Sequence, residues 1–264
     1  MHSLSPPRIR PRSWFILWCI VLALEILLLV NHAMLDSSAW LATRWFVGDG
    51  DHYTWADYSA RHAADEHPAF YMRSPPPMHS RFYARTQRFW EILRDFGEPW
   101  MTAILVLALL FLYRRPIVAA GSTIIATTVA GGLSALIRVV AGRTRPTHFD
   151  AANIWELFRG FRNGVDLSFP SGHATLAFAL AASLCYFLPK GRPLFVAVAA
   201  GTALSRVVME AHFYSDVIFG AAFGFTVGWF VTGCMDRLMS KHLQAVPPGT
   251  TVDAAIEHGQ TLPK

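Results

Sequence analysis

Charge is scarce in this chain. Asp, Glu, Lys and Arg make up 16% of its 264 residues, against 53% that are hydrophobic. That balance excludes a typical soluble domain and fits several membrane spans. Cysteine is nearly missing: Cys19, Cys185 and Cys234 all lie within apolar runs, so no disulfide framework is expected and the thiols serve as small apolar fillers. No His/Cys/Asp spacing suits a metal ion, and neither a metal nor any other cofactor is expected. Internal repeats are absent. Asp95-Phe96-Gly97 matches a kinase tripeptide, but with no glycine-rich loop or catalytic loop beside it the match is one of chance. The formal charge of +5 is dispersed over many loops, which leaves no nucleic-acid surface and suits contact with anionic lipid headgroups.

What the chain does have is long apolar runs. Trp14 to Val30 is apolar apart from Glu25 and follows the basic residues Arg8, Arg10 and Arg12. Its length, and the poor cleavage site at Asn31-His32-Ala33-Met34, predict an uncleaved first span rather than a signal peptide. Further spans are predicted at about 99–113, 117–138, 173–188, 194–209 and 217–234. Some fall short of the roughly 20 residues of a full crossing, with flanking Trp, Tyr and small residues to extend them. Six spans put both termini on one side. Arg8, Arg10, Arg12, Arg114, Arg115, Lys190, Arg192, Arg237 and Lys241 fall on that side too, which makes it cytoplasmic. The expected fold is therefore all-α, a six-transmembrane-helix bundle in the cell inner (plasma) membrane. A basic cytoplasmic N-terminus occupies 1–13, the membrane domain 14–238 and a cytoplasmic tail 239–264. Glu25 pairs with a basic residue of another helix or reaches water in a cavity; the sequence leaves both open.

The loop at 33–97 falls on the outer face. Pro75-Pro76-Pro77 breaks any helix there, and Arg81 to Phe96 carries Phe82, Tyr83, Phe89, Trp90, Ile92 and Leu93 among charges. That amphipathic stretch suits a helix in the interface plane, as a lid or anchor, or equally one packed helix in a solvated loop. Small residues mark helix contacts: Gly220, Gly224 and Gly228 on the last span, Ala174, Ala177 and Ala181 on the fourth, and Ala130, Gly131 and Gly132 on the third.

Three segments carry chemistry, and the topology puts all of them on the outer side. In Ser205-Arg206-Val-Val-Met-Glu-Ala-His212-Phe-Tyr-Ser-Asp216, the histidine and aspartate are four apart. On a helix they share a face, with Cβ atoms roughly 6 Å apart. A carboxylate there accepts the imidazole Nδ1–H and leaves Nε2 as a lone-pair nucleophile. Arg138 and Arg145 are seven apart, near two helical turns, and so face one point at a span's end. Their planar donor forks suit phosphate oxygens. In Pro170-Ser171-Gly172-His173 the segment opens a span, and a helix N-terminus binds anions through free N–H groups and the dipole. Ser171 adds a hydroxyl donor, Gly172 lets the backbone approach a ligand, and His173 is placed as an acid. Arg143 and Arg162 are assigned to snorkelling at the membrane edge. Ionisable groups converging at one membrane depth mark function by default.

These residues resemble the type 2 phosphatidic acid phosphatase superfamily, whose signature runs Lys-x6-Arg-Pro, Pro-Ser-Gly-His and Ser-Arg-x5-His-x3-Asp. The match covers 138 to 216 by motif. Arg138, a larger and flatter donor, stands where the family has lysine, and Glu210 and Phe213-Tyr214 also depart from the pattern. The resemblance implies that His212 attacks phosphorus to form a phosphohistidine, with Asp216 orienting it. His173 then protonates the leaving oxygen and later activates water. Arg138, Arg145, Arg206, Ser171 and the Gly172 N–H hold the phosphate oxygens, and no metal is needed. The partners it implies are membrane lipids and a lipid phosphate or pyrophosphate: polyprenyl pyrophosphate, phosphatidylglycerol phosphate, phosphatidic acid or a lipid A phosphate. A lipid phosphotransferase is the alternative within the enzymes, and a non-catalytic lipid-phosphate binding or transport protein is the alternative outside them. A vanadate-dependent haloperoxidase shares the pocket type but not the spans.

Overall fold

The computed structural model describes residues 11–30, 81–146, 157–158, 160–161, 167–209 and 211–245. Pro75-Pro76-Pro77, Arg162, Glu210 and the tail beyond residue 245 lie outside them. Among the described residues there are seven α-helices: α1 (Pro11–Val30), α2 (Arg81–Asp95), α3 (Pro99–Leu112), α4 (Pro116–Ala141), α5 (Gly172–Phe187), α6 (Arg192–Val208) and α7 (Tyr214–Ala245). A single 3-10 turn at Pro189–Gly191 joins α5 to α6. The fold class is all-α as expected, and the six apolar runs are all helical. By length and composition, α4 and the Tyr214–Lys241 part of α7 can each cross a membrane, whereas the apolar parts of α1, α3 and α5 are shorter.

Local chemistry explains most helix ends. Proline opens α3 and α4 and sits in the first turn of α6, where its missing N–H costs no hydrogen bond. α4 stops at Gly142, which takes a left-handed conformation (φ 63°, ψ 22°) and donates its N–H to the Arg138 carbonyl at 3.1 Å. Arg145 therefore lies beyond the helix, not two turns along it from Arg138. It follows a short extended stretch in which Thr144 bridges Leu167 in antiparallel sense.

Packing is organised around α5, buried along most of its length. The glycine stripe of α7 meets it backbone to backbone. A Cβ at Gly220 would lie 2.8 Å from the Ser171 carbonyl oxygen, one at Gly228 2.7 Å from Ala179 Cα, and one at Gly224 would collide with the Thr175 carbonyl. Ala177 and Ala181 turn the other way, onto Ala199 of α6. Gly131 packs on Leu176, while among the described residues nothing lies within 4 Å of where a Cβ at Gly132 would be. α1 leans on α7 through Trp14 against Phe225 and Phe230, and Trp18 against Phe219.

Helix α2 forms where the amphipathic pattern placed it and docks on α6. The Thr202 hydroxyl donates to the Leu93 carbonyl at 2.6 Å, and Gly201 leaves room for the Leu93 side chain. Phe89 and Ile92 stay exposed. The alternation of directions along α4 to α7 brings the C-termini of α4 and α6 together with the N-termini of α3, α5 and α7. At the opposite end, Arg115 reaches Ser240 at 3.1 Å and Tyr186 reaches Asp236 at 3.1 Å.

Candidate functional site

His212 sits in the short connection between α6 and α7, not on a helix. The expected one-face geometry of His212 and Asp216 on a helix therefore does not occur. Asp216 is in the first turn of α7 and accepts the Phe213 N–H at 2.8 Å, the reciprocal half of a capping box. Its Oδ2 lies 3.6 Å from His212 Nδ1, beyond hydrogen-bond range. Ser168 fills the gap: its hydroxyl makes a short hydrogen bond to Asp216 Oδ2 and lies 3.3 Å from His212 Nδ1. A carboxylate accepts only, so the hydroxyl proton goes to Asp216 and the Nδ1–H donates to the Ser168 oxygen. This relay leaves Nε2 as the lone-pair nitrogen. Asp216 therefore reaches the imidazole through Ser168 and not directly.

Arg143 is the main correction. It is not a snorkelling anchor: it is wholly buried, with Nη1 2.5 Å from Asp216 Oδ1 and 2.6 Å from the Ser215 hydroxyl. Its guanidinium also lies 4.4 Å from the centre of the Phe213 ring, and its carbonyl accepts the Ser168 N–H at 2.7 Å. Arg143 thus matches the charge of Asp216 and fixes Ser168 beside it. A buried pair of this kind is costly to form but far costlier to break.

The other predicted residues gather around the N-terminus of α5. Ser171 is its N-cap, and its N–H donates to the Asp216 carbonyl at 3.0 Å. Among the described residues its buried hydroxyl has no hydrogen-bond partner, an orphan donor where α5 presents its free N–H groups. Arg138 lies across the same turn, with Nε donating to the Pro170 carbonyl at 3.2 Å and Nη2 against Gly172, where any Cβ would collide with it. Arg206 is buried near the end of α6. Arg206 and Arg145 both act electrostatically on His212, and Arg206 also on His173. Among the described residues, no group of three His, Cys, Asp or Glu side chains has the arrangement of a metal site. His173, in the first turn of α5, makes a 2.8 Å contact from Nε2 to Glu98 Oε1. Glu98 was not among the expected site residues, and its one signal was an ionisable residue at a span edge beside Pro99.

Burial holds the His212 imidazole far below its ordinary range, at about 3. The nearby Asp216 charge works against this, and Arg206 and Arg145 add to it. The unfolded chain takes up this proton near pH 6.5, the folded one near pH 3. His212 therefore contributes stability that is complete above the unfolded value and lost as pH falls from about 6.5 to about 3. Unfolding midpoints of wild type and His212→Gln, measured from pH 8 to pH 4, should show the wild type losing ground to the variant below about pH 6.5. A difference constant with pH would refute this.

Residues 116–240 match the PAP2 superfamily. Over 111 residues the chain is 38% identical to lipid A 1-phosphatase of Rhizobium etli, which covers 42% of this chain and 47% of that protein. Over 104 residues it is 38% identical to decaprenylphosphoryl-5-phosphoribose phosphatase of Mycobacterium tuberculosis, covering 39% and 54%. The chain spans about half the length of the curated relatives it matches. A solved transmembrane PAP2-type phosphatidylglycerolphosphate phosphatase from Bacillus subtilis aligns over 78% of this chain and 98% of its own, with a TM-score of 0.45 and 19% identity. The segment 116–240, which holds every member of the cluster except Glu98, belongs to the PAP2 superfamily.

Proposed function

We propose that this protein is a membrane lipid phosphatase that works through a phosphohistidine. The observation that carries the reading is two histidines backed by different carboxylates, one at the start of α5 and one just before α7, whose first turns are joined by the Ser171 N–H on the Asp216 carbonyl. His212 has Nδ1 tied through Ser168 to Asp216, and His173 has Nε2 on a carboxylate. Binding alone would need neither arrangement. The phosphate sits over the Ser171 hydroxyl and the first N–H groups of α5, between Arg138, Arg145 and Arg206. Their charge stabilises the oxygens as they pass through the transition state. His212 Nε2 attacks phosphorus while the bond to the lipid oxygen breaks, and His173 gives that oxygen its proton. His173 then takes a proton from water, which attacks the phosphohistidine and releases orthophosphate and free His212.

A lipid tail is favoured by an apolar cavity of about 470 Å³ between α3 and α4, lined by Thr102, Val106, Leu110, Ile124, Thr127 and Leu176. Leu176 is three residues beyond His173, so the cavity begins one helical turn from the site. The six helices cross the membrane, with the site at the outer face and both ends of the bundle's chain on the cytoplasmic side. The basic residues 114, 115, 190, 192, 237 and 241 at the opposite end of the helices support that orientation.

The test is phosphate release by the purified protein in detergent from a panel of lipids, in excess chelator. Lipid A 1-phosphate and a prenyl-linked sugar phosphate head the panel, after the relatives' names. Polyprenyl pyrophosphate, phosphatidylglycerol phosphate and phosphatidic acid complete it. Release from at least one, undiminished by chelator, is expected because arginines supply the positive charge. A strict magnesium requirement would contradict the mechanism, and binding without release would move the protein to the transport reading.

A further inference from the structure

Glu98 lies outside the segment 116–240 that matches the PAP2 superfamily, yet its side chain makes a 2.8 Å contact with His173. Its backbone is the N-cap of α3, but its carboxylate makes no capping hydrogen bond. The carboxylate turns instead to His173, with Oε1 2.8 Å from Nε2. The turn that carries it is built for this approach. Gly97 N–H donates to the Arg94 carbonyl at 2.9 Å and Glu98 N–H to the Asp95 carbonyl at 3.0 Å. A Cβ at Gly97 would lie 2.7 Å from the His173 carbonyl oxygen, so any other residue would push the turn away from α5. That is a physical reason for the glycine of the Asp95-Phe96-Gly97 tripeptide. The turn is in turn anchored by Leu93 on Thr202 and Gly201 of α6, the helix that supplies Arg206.

We propose that Glu98 is the positioning residue of His173, a reading that rests on the phosphatase mechanism above. An ionised carboxylate only accepts, so it fixes the proton on Nε2 and leaves Nδ1 as the nitrogen that exchanges a proton with the lipid oxygen and later with water. It also supplies a negative charge facing the imidazolium, where Arg94 of α2 and Arg206 of α6 bring positive charge and Arg138 of α4 borders Gly172. Without it, His173 is a weaker and less directed proton donor, while the phosphate-holding groups are untouched.

The test compares two leaving groups in Glu98→Gln, which keeps the size and a hydrogen-bonding oxygen but not the charge. On a lipid alkyl phosphate, whose alkoxide leaves only with a proton, kcat/KM should fall about 10²-fold. On p-nitrophenyl phosphate, whose phenolate leaves without one, kcat/KM should stay within about threefold of wild type. Glu98→Asp, which keeps the charge, should lose less on the lipid than Glu98→Gln. Equal losses on both substrates, or none on the lipid, would overturn the role of Glu98 while leaving the phosphatase reading intact. A wild-type protein that releases phosphate from neither substrate would overturn both.

Discussion

His212→Ala is expected to lower phosphate release from every lipid phosphate by on the order of 10³-fold or more. In the proposed mechanism His212 forms a bond to phosphorus that no neighbour is placed to make. Ser171 has its hydroxyl at the helix N-terminus, and Arg138 is held across the Pro170–Gly172 turn; in the proposed mechanism both hold phosphate oxygens and neither attacks. The same groups remain in the variant, so lipid affinity should change by less than about threefold. The loss should appear in kcat, not in binding. Rapid acid quench of the wild type with a radiolabelled lipid phosphate should trap an acid-labile phosphoprotein that is missing from His212→Ala. His173→Ala, given an aryl phosphate that needs no leaving-group proton, should accumulate it. Wild-type rates in His212→Ala would end the phosphohistidine mechanism.

Arg143→Met is expected to cost about 3–5 kcal/mol of stability, enough to lower the thermal midpoint in detergent by about 10 °C. The charge left behind is the reason. Asp216 is fully buried, and the Arg143 contact at 2.5 Å is its matching cation. Removing that cation leaves a carboxylate in a site closed to water. Combining Arg143→Met with Asp216→Asn should recover part of the loss, because the unmatched charge is then gone as well. Midpoints of the two single variants and the double variant measure this directly. A lone membrane-edge anchor would change stability by no more than about 0.5 kcal/mol, and a shift that small would return Arg143 to that role.

Much of this architecture is written in local pattern. Each apolar run became a helix because uninterrupted apolar sequence must satisfy its backbone internally. Pro99, Pro116 and Pro193 mark where three of the helices begin, and Gly142 marks where α4 ends. The glycines of α7 announced a close helix contact, and the motif residues Arg138, Ser171, His173, Arg206, His212 and Asp216 were legible because ionisable groups are conspicuous against apolar sequence. The partners of those residues were not. Arg143 at a span edge reads the same whether it reaches for headgroups or folds inward, and its carboxylate is 73 residues away. Ser168 carries no signal of its own in the sequence, and α7 brings Asp216 to it from 48 residues on. Glu98 met His173 across 75.

By itself, then, the sequence determined the all-helical character, the proline-marked helix starts and the chemical types available to the site, because these follow from hydropathy and proline within a few residues. Tertiary structure alone decided which carboxylate serves which histidine and which arginine is spent on neutralising Asp216. Those pairings depend on how closely α7 packs on α5 and where the turn before α3 lands, distances that side-chain identity does not encode.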